Sequence, residues 1–268
     1  MFCVIKSRSI KYVLIVLLVT ILLAISINGA VSAEVFFGYS TRKVPIYCVE
    51  TESKQVAISF DAAWGADKTK QIVDICKEHN VRATFFLVGF WVDKYGNMVK
   101  YIDDNGFEIG THSNTHPDMA KLSKDAMSLE LDKSMELITN ITGKNIELFR
   151  APFGSYNNLL LDTAESKGLK TIQWDVDSLD WKGLSAEAIT TRILNGVKSG
   201  SIILCHNNSD HIVDALPMIL DRLAKRGYKV GAIGDLIYKD NYTIDRAGLQ
   251  KTTLKEKINN ENWTNEQQ

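Results

Sequence analysis

The stretch Val56-Ala57-Ile58-Ser59-Phe60-Asp61 is a compact apolar run that ends in a carboxylate. A run of this length and composition predicts a strand buried inside a sheet. The pattern repeats along the chain, with about seven apolar strands separated by helical stretches. Because parallel strands need helical crossovers, the alternation predicts an α/β fold whose strands form an incomplete or distorted parallel (β/α) barrel.

The predicted elements fill one domain, residues 54–238, after an N-terminal extension over residues 34–53. We expect helices at about 67–79, 91–105, 124–142, 159–167, 185–197 and 213–226, and further strands at about 44–49, 83–88, 107–110, 146–150, 170–174, 201–204 and 228–232. Gly143 is predicted to end the third helix, and Ser185 to cap the fifth. Residues 239–268 are polar and balanced in charge, which predicts a surface extension or a disordered tail.

The overall composition favours a single globular domain, because 45% of the 268 residues are hydrophobic and 24% are charged. A formal net charge of -1, without a local basic patch, argues against a nucleic-acid-binding surface. No GxGxxG or Walker loop follows a predicted strand, which argues against a nucleotide site. The sequence does not indicate an oligomeric state.

The N-terminus has the pattern of an export signal. Lys6, Arg8 and Lys11 precede an uncharged run over residues 12–27, and a small-residue site with Val31 and Ala33 follows. We therefore expect an exported protein, located outside the cell or in its envelope. Residues 1–33 would be a cleaved signal or a retained membrane anchor, and the apolar run is shorter than the roughly 20 residues of a typical span, which favours cleavage.

Three cysteines, Cys48, Cys76 and Cys205, lie in the part that would be exported, while Cys3 precedes the apolar run. An odd number cannot form a complete disulfide framework. The apolar sequences around Cys76 and Cys205 predict buried free thiols, and a disulfide that includes Cys48 is the alternative.

Polar residues follow five of the predicted strands. In a (β/α) barrel the loops after the strands meet at one end, so these residues are expected to form one site. They are Asp61, the pair His112 and His116, Arg150, the group Asp175, Asp177 and Asp180, and His206. The two histidines at i and i+4 can point the same way, as ligands of one cation must.

These residue types suit metal-assisted hydrolysis of an amide or an ester. Two neutral histidines and one carboxylate can bind zinc or a similar cation and leave a position for water. The metal would lower the pKa of that water and polarise a carbonyl group. A carboxylate can then act as a base, a further histidine as an acid, and an arginine can keep the carboxylate ionised.

Five stretches of the sequence, in order, resemble the five motifs of the polysaccharide deacetylases, the carbohydrate esterases with a NodB homology domain. The stretches are Ser59-Phe60-Asp61, Thr111-His112-Ser113-Asn114-Thr115-His116-Pro117, Arg150-Ala151-Pro152-Phe153-Gly154, Asp177-Ser178-Leu179-Asp180-Trp181 and Ile203-Leu204-Cys205-His206. The resemblance covers about residues 54–238. It implies N-deacetylation of N-acetylated amino sugars in a cell-wall polysaccharide, with release of acetate.

The resemblance also implies a role for each matching residue. It assigns Asp61 as the general base and Arg150 as its partner. His112 and His116 would be metal ligands, and His206 would be the acid for the leaving amine. Asp177 would tune His206, with Asp180 as the rival. The backbone N–H of Phe153 would donate to the oxyanion beside Gly154, and Trp181 and Leu204 would wall the acetyl group. The cation would be zinc, or cobalt, nickel or manganese.

One position departs from the motif that the resemblance implies. The family usually has two adjacent aspartates, a base and then a metal ligand, whereas this chain has Asp61 followed by Ala62. An alanine cannot bind a metal. Three replacements are conceivable: Asp61 itself, a water molecule, or a carboxylate such as Asp67.

If no replacement operates, the domain would be a glycan-binding pseudoenzyme. A membrane-tethered structural protein of the envelope is a further alternative, and it requires an uncleaved N-terminus. The Phe-Asp-small-small-Trp-Gly form of the first motif is similar to that of a sporulation-associated branch of the family. This similarity implies peptidoglycan, an N-acetylglucosamine-containing glycan, as the polysaccharide.

Overall fold

The computed structural model describes residues 11–12, 14–23 and 42–253. The chain divides into two compact units at Arg42. The described residues of the first unit form a helix, α1 (residues 11–12 and 14–23). Among the described residues, no helix combines the length and the apolar character that crossing a membrane requires. The expected cleavage site at Val31 and Ala33 and the last part of the predicted tail, residues 254–268, lie outside the described residues.

The helices of the second unit lie close to their predicted positions. They are α2 (Thr69–Glu78), α3 (Gly89–Lys94), α4 (Gly96–Asp104), α5 (Lys124–Thr142), α6 (Asn158–Glu165), α7 (Ala186–Gly196), α8 (Ile212–Lys225) and α9 (Ile233–Leu236). Gly143 ends α5 at a φ of 68°, and the Ser185 side chain caps α7 by accepting from the Ala188 N–H, as predicted. The single helix predicted over residues 91–105 was wrong, because non-helical backbone angles at Tyr95 divide it into α3 and α4.

The strands form a curled, all-parallel sheet, which confirms the predicted α/β half-barrel. They are β2 (Gln55–Ala62), β3 (Thr84–Leu87), β4 (Glu108–Thr111), β5 (Leu148–Phe149), β6 (Lys170–Thr171), β7 (Val176–Asp177), β8 (Ile202–His206) and β9 (Lys229–Gly231). Seven of them follow the order β6-β5-β4-β3-β2-β8-β7, and β9 pairs with the first residues of β2. β2 is therefore an interior strand that pairs with three others, β3, β8 and β9.

The two faces of β2 have different surroundings. Val56, Ile58 and Phe60 pack in the larger core cluster with the helices, whereas Ala57 belongs to a smaller cluster on the other face. This alternation is the period of two that an extended strand imposes. Asp61 shares the face of Ala57, and it is therefore delivered to the inside of the half-barrel at the end of the strand.

The predicted polar tail contains two strands within residues 239–252, which excludes the disordered alternative there and leaves the surface extension. β10 (Tyr242–Ile244) and β11 (Leu249–Thr252) pair with each other, and β11 also pairs with β1 (Cys48–Val49). The side chain of Gln250 is buried and makes two hydrogen bonds with the backbone of Tyr238. This polar segment can form regular structure because its buried polar side chain has hydrogen-bond partners.

The described cysteines, Cys48, Cys76 and Cys205, are all buried and free. The predicted free thiols are confirmed, and the alternative disulfide that included Cys48 is not formed.

Candidate active site

A pocket of about 620 Å³ opens at the carboxyl ends of the parallel strands, where a (β/α) barrel carries its functional groups. Most of the predicted site residues line it: Asp61, His112, His116, Phe153, Gly154, Asp177, Asp180, Trp181, Leu204 and His206. Arg150 lies behind the pocket wall and is fully buried. Asp175 was also expected in the site, but it lies outside the pocket and accepts from the Ser201 hydroxyl and the Ile202 N–H. The structure therefore brings the residues of all five strand exits together.

The buried carboxylate of Asp61 is held by Arg150. The guanidinium Nη1 of Arg150 donates to Asp61 Oδ1 at 2.7 Å and to the Ser59 hydroxyl at 2.9 Å. Burial alone would raise the pKa of Asp61, but the charges of Arg150 and of nearby histidines outweigh burial and lower that pKa below its ordinary value. Asp61 is therefore an anion at neutral pH, as a general base must be.

The hydrogen bonds of His112 fix its tautomer. Its Nδ1 lies 2.7 Å from the carbonyl oxygen of Arg150, which can only accept, so Nδ1 carries the proton. The neutral ring then has an unprotonated Nε2, and this atom lies 3.5 Å from Asp61 Oδ2. Burial lowers the pKa of His112, which favours the neutral ring. His112 thus offers a lone pair on the side of Asp61.

His116 lies beside His112, with their ring centroids 4.9 Å apart. The loop between them is fixed by Glu130, whose carboxylate accepts from the backbone N–H groups of Asn114 and Thr115. The backbone of His116 has a φ of 58°, and its N–H donates to the Ser113 hydroxyl. Burial, followed by the effect of His112, lowers the pKa of His116 to about 4, so this ring is also neutral at pH 7.

Asp180, and not Asp177, is the partner of His206. Asp180 Oδ1 lies 2.7 Å from His206 Nδ1, and Asp180 Oδ2 accepts from the His206 backbone N–H at 2.8 Å. Asp177, which was predicted to tune His206 with Asp180 as the rival, makes its hydrogen bond with the backbone N–H of Leu179 instead, and its charge contributes less than that of Asp180 to the raised pKa of His206. Burial would lower the pKa of His206, but the Asp180 hydrogen bond and charge outweigh it and raise that pKa.

Base and acid candidates are neighbours because β2 and β8 pair in parallel. In that register Asp61 lies directly opposite His206. Two residues earlier on β8 and on the same face, Leu204 is buried and lines the pocket. The sheet itself therefore sets the distance between the two groups.

The substrate-side residues lie on two short 3₁₀ turns. Pro152–Gly154 carries Phe153, which is 70% exposed and has a φ of 60°, and Asp180–Lys182 carries Trp181, which is 59% exposed. Gly154 also has a positive φ, and a Cβ there would meet the ring of Trp174 at 3.2 Å. Both turns present large rings at the mouth of the pocket.

Comparisons with known proteins agree with this geometry. The sequence profile of the family described as polysaccharide deacetylase matches residues 49–172. The peptidoglycan-N-acetylmuramic acid deacetylase PdaA of Bacillus subtilis is 30% identical over 72% of this chain and 75% of its own length. The chain belongs to the polysaccharide deacetylase family.

Two further family members differ in what they are reported to do. The peptidoglycan-N-acetylglucosamine deacetylase of Bacillus cereus is 37% identical over 65% of this chain, which spans 64% of that relative's length. A CE4 family pseudoenzyme from Bacillus anthracis superposes with a TM-score of 0.70 and is 35% identical over 72% of this chain and 68% of its own. A mutant of that pseudoenzyme is described as having restored enzymatic activity.

The metal ligands that family membership implies are incomplete in this chain. Ala62 is buried in the apolar cluster that faces the helices and provides no ligand atom. Asp61 Oδ2 lies near His112 Nε2, but the other Asp61 oxygen is held by Arg150. Asp67 does not line the pocket. Within residues 42–253, no three His, Cys, Asp or Glu side chains form a group suited to a metal ion, so the residues present do not fit a three-ligand cation site.

Sequence reasoning missed Trp64 and Trp174, which also line the pocket. Trp64 follows β2 by two residues, in the same position after a strand as the polar residues that were selected. The rule that strand exits carry function could have found it, had the rule been applied to aromatic residues as well as to titratable ones.

Proposed function

We propose that this protein binds the N-acetylated glycan strands of peptidoglycan in this pocket, and that it acts mainly by binding because its metal site is incomplete. One contrast carries the proposal. The pocket contains candidates for an acid and a base, but the position of the third metal ligand is occupied by Ala62. Binding needs the pocket alone, whereas efficient amide hydrolysis in this family needs the cation as well.

The pocket has the composition of a site for an N-acetylated sugar. Leu204 and the exposed ring of Trp181 provide apolar walls that suit an acetyl methyl group. Asp61 and His206 provide an acceptor and a donor for the amide and hydroxyl groups of the sugar. Relatives that are named peptidoglycan deacetylases support peptidoglycan as the source of that sugar.

Location outside the cytoplasmic membrane is part of the proposal, because peptidoglycan lies there. The basic and apolar pattern of the first 33 residues supports it. Mass spectrometry of the N-terminus of the envelope-associated protein tests it, and a chain that begins at Glu34 is the expected result. An intact Met1 in that fraction would favour a retained anchor.

Metal-assisted N-deacetylation with release of acetate is the second candidate function. It is favoured by the two intact pairs, Asp61 with Arg150 and His206 with Asp180. In that reaction Asp61 would take a proton from the attacking water, and protonated His206 would give one to the leaving amine. The raised pKa of His206 suits this role, since it increases the protonated fraction near neutral pH.

One experiment separates the two candidates. The protein and an Ala62→Asp variant are incubated with peptidoglycan and with N-acetylglucosamine oligomers, without metal and with Zn²⁺ or Co²⁺, and both acetate and bound glycan are measured. We expect the unmodified protein to bind glycan and to release little acetate, and Ala62→Asp with metal to release more. Metal-dependent release by the unmodified protein at the rate of the variant would overturn the binding proposal in favour of the enzyme. Absence of glycan binding would overturn it as well.

A further inference from the structure

Four successive segments, each directly after a strand, contribute one ring apiece to a continuous aromatic row at the pocket mouth. The segments after β2, β3, β4 and β5 supply Trp64, Phe90 (at the start of α3), His116 and Phe153, respectively. Neighbouring ring centroids are 6.3 Å apart for Phe90 and Trp64, 5.0 Å for Trp64 and His116, and 4.7 Å for His116 and Phe153. These tilted and edge-to-face contacts lie within the range of favourable aromatic pairs.

The row continues beyond the pocket. Trp64, His116 and Phe153 line the pocket, whereas Phe90 does not and reaches it only through its contact with Trp64. Trp64 is 58% exposed and Phe90 is 39% exposed. Exposed rings that adjoin a binding pocket enlarge its apolar surface on one side.

The backbone on both sides of this contact is held in place. The carbonyl oxygen of Gly65, next to Trp64, accepts from the indole N–H of Trp91 at 2.6 Å and from the amide of Asn207 at 2.8 Å. The N–H of Phe90 donates to the carbonyl oxygen of Asn114 in the histidine loop. These hydrogen bonds hold the backbone beside both rings, so the fold keeps Trp64 and Phe90 exposed.

We propose that Trp64 and Phe90 form a second sugar subsite, which stacks the residue of the glycan strand adjacent to the one in the pocket. The C–H face of a pyranose ring is apolar and packs on aromatic rings, while its hydroxyl groups remain in water. The proposal rests on the proposed function, since it needs a glycan in the pocket. The second subsite would make this protein bind glycan chains more tightly than single sugars.

The test measures how substitutions in the aromatic row change the affinity for a short and for a longer ligand. Binding of N-acetylglucosamine, which fills the pocket alone, and of its tetramer to the full chain is measured by titration calorimetry for the unmodified protein, Trp64→Ala, Trp64→Phe and Phe90→Ala. Leu129→Ala is the matched control, because Leu129 is a similarly exposed apolar residue on α5 outside the pocket. Circular dichroism verifies that each variant is folded.

We expect the unmodified protein to bind the tetramer more tightly than the single sugar. Trp64→Ala should weaken tetramer binding about tenfold, the scale for removal of one stacked ring, and should weaken binding of the single sugar less, because only part of the ring lines the pocket. Phe90→Ala should have a smaller effect in the same direction, and Trp64→Phe should retain most of the tetramer affinity.

The outcomes distinguish this subsite from the proposed function. If the unmodified protein binds both the single sugar and the tetramer and Trp64→Ala binds the tetramer normally, the subsite is overturned and the pocket assignment stands. An equal loss for the single sugar and the tetramer also overturns it, because Trp64 would then act only inside the pocket. If the unmodified protein binds neither ligand, the proposed function and the subsite are both overturned.

Discussion

The pocket contains two buried carboxylates, Asp61 and Asp180, and the structure holds them in different ways. Asp61 ends a central strand, and its anion is balanced by the buried Arg150. Asp180 lies on a 3₁₀ turn and binds both the side chain and the backbone N–H of His206. The Asp180 pair contains every group that an acid catalyst needs. The Asp61 region has a base and two histidines but no third ligand.

This difference shows that the two carboxylates are stabilised by separate partners. Arg150 balances the charge of Asp61, so an alanine at position 62 does not leave a buried charge unpaired. The Asp61–Arg150 pair therefore does not need a cation to be stable. The following predictions test how separate the two carboxylate regions are.

The largest expected effect comes from Arg150→Ala. Asp61 would become an unpaired buried charge, and removal of one partner of such a pair costs about 3–5 kcal/mol in the free energy of unfolding. Urea denaturation at pH 7 measures it. Arg222→Ala, which breaks an exposed pair with Glu187, is the control and should cause no resolvable change. If Arg150→Ala lowered the free energy of unfolding as little as the control does, Arg150 would not be needed to balance the buried charge of Asp61.

A smaller cost is expected for Ala62→Asp without metal. Position 62 is fully buried among apolar side chains, so a carboxyl group there should lower the unfolding free energy by about 1–3 kcal/mol. Zn²⁺ should recover part of this loss, because a ligand that binds the folded state stabilises it.

Ala62→Asn is the matched control for the zinc effect. It introduces a polar group of similar size without a carboxylate, so its cost should be similar and zinc should not reduce it. Thermal unfolding with and without Zn²⁺ measures both variants. Equal rescue of the two would mean that the carboxylate at position 62 does not reach the histidines.

Asp180→Asn should lower the pKa of His206. Burial, which lowers this pKa, would no longer be opposed by the charge of Asp180. NMR titration of the ring protons measures the change. Asp177→Asn is the matched control, and its effect should be much smaller because Asp177 bonds to Leu179. A larger shift in the Asp177 variant would restore Asp177 as the tuning residue.

His116→Gln should reduce the sensitivity of the fold to acid. The folded chain protonates His116 only at about pH 4, whereas the unfolded chain does so near the ordinary pKa of 6.5. Between these values the unfolded state binds more protons, so stability falls as the pH falls. Denaturation at pH 7, 6 and 5 should therefore show a shallower loss for the variant. An unchanged slope would show that His116 does not titrate in this window.

Much of the fold could be predicted because it depends on local patterns. The apolar runs and the amphipathic stretches between them indicated parallel strands with helical crossovers, and α5 lies at its predicted position. The residues at the strand exits could be selected because parallel strands bring their carboxyl ends to one edge. Their individual chemical roles remain predictions.

Other features could not be predicted because they depend on distant partners. The strands β10 and β11 are polar, and only the pairing of β11 with β1 and of β10 with β11 shows that they are ordered. The aromatic row joins rings from four segments that are far apart in the chain, from Trp64 to Phe153, and no local period links them.

Residue chemistry and short-range periodicity in the sequence were enough to predict the barrel class and the set of residues at its functional end. The departure at Ala62 follows from the resemblance to the family's first motif. The choice of the aspartate that bonds to His206, in contrast, depends on the three-dimensional structure. Leu179 adopts a φ of 52°, and this turn aims Asp180 at the end of β8 while Asp177 caps the turn itself. Side-chain direction in a loop depends on such backbone angles, and the spacing of Asp177 and Asp180 does not encode them.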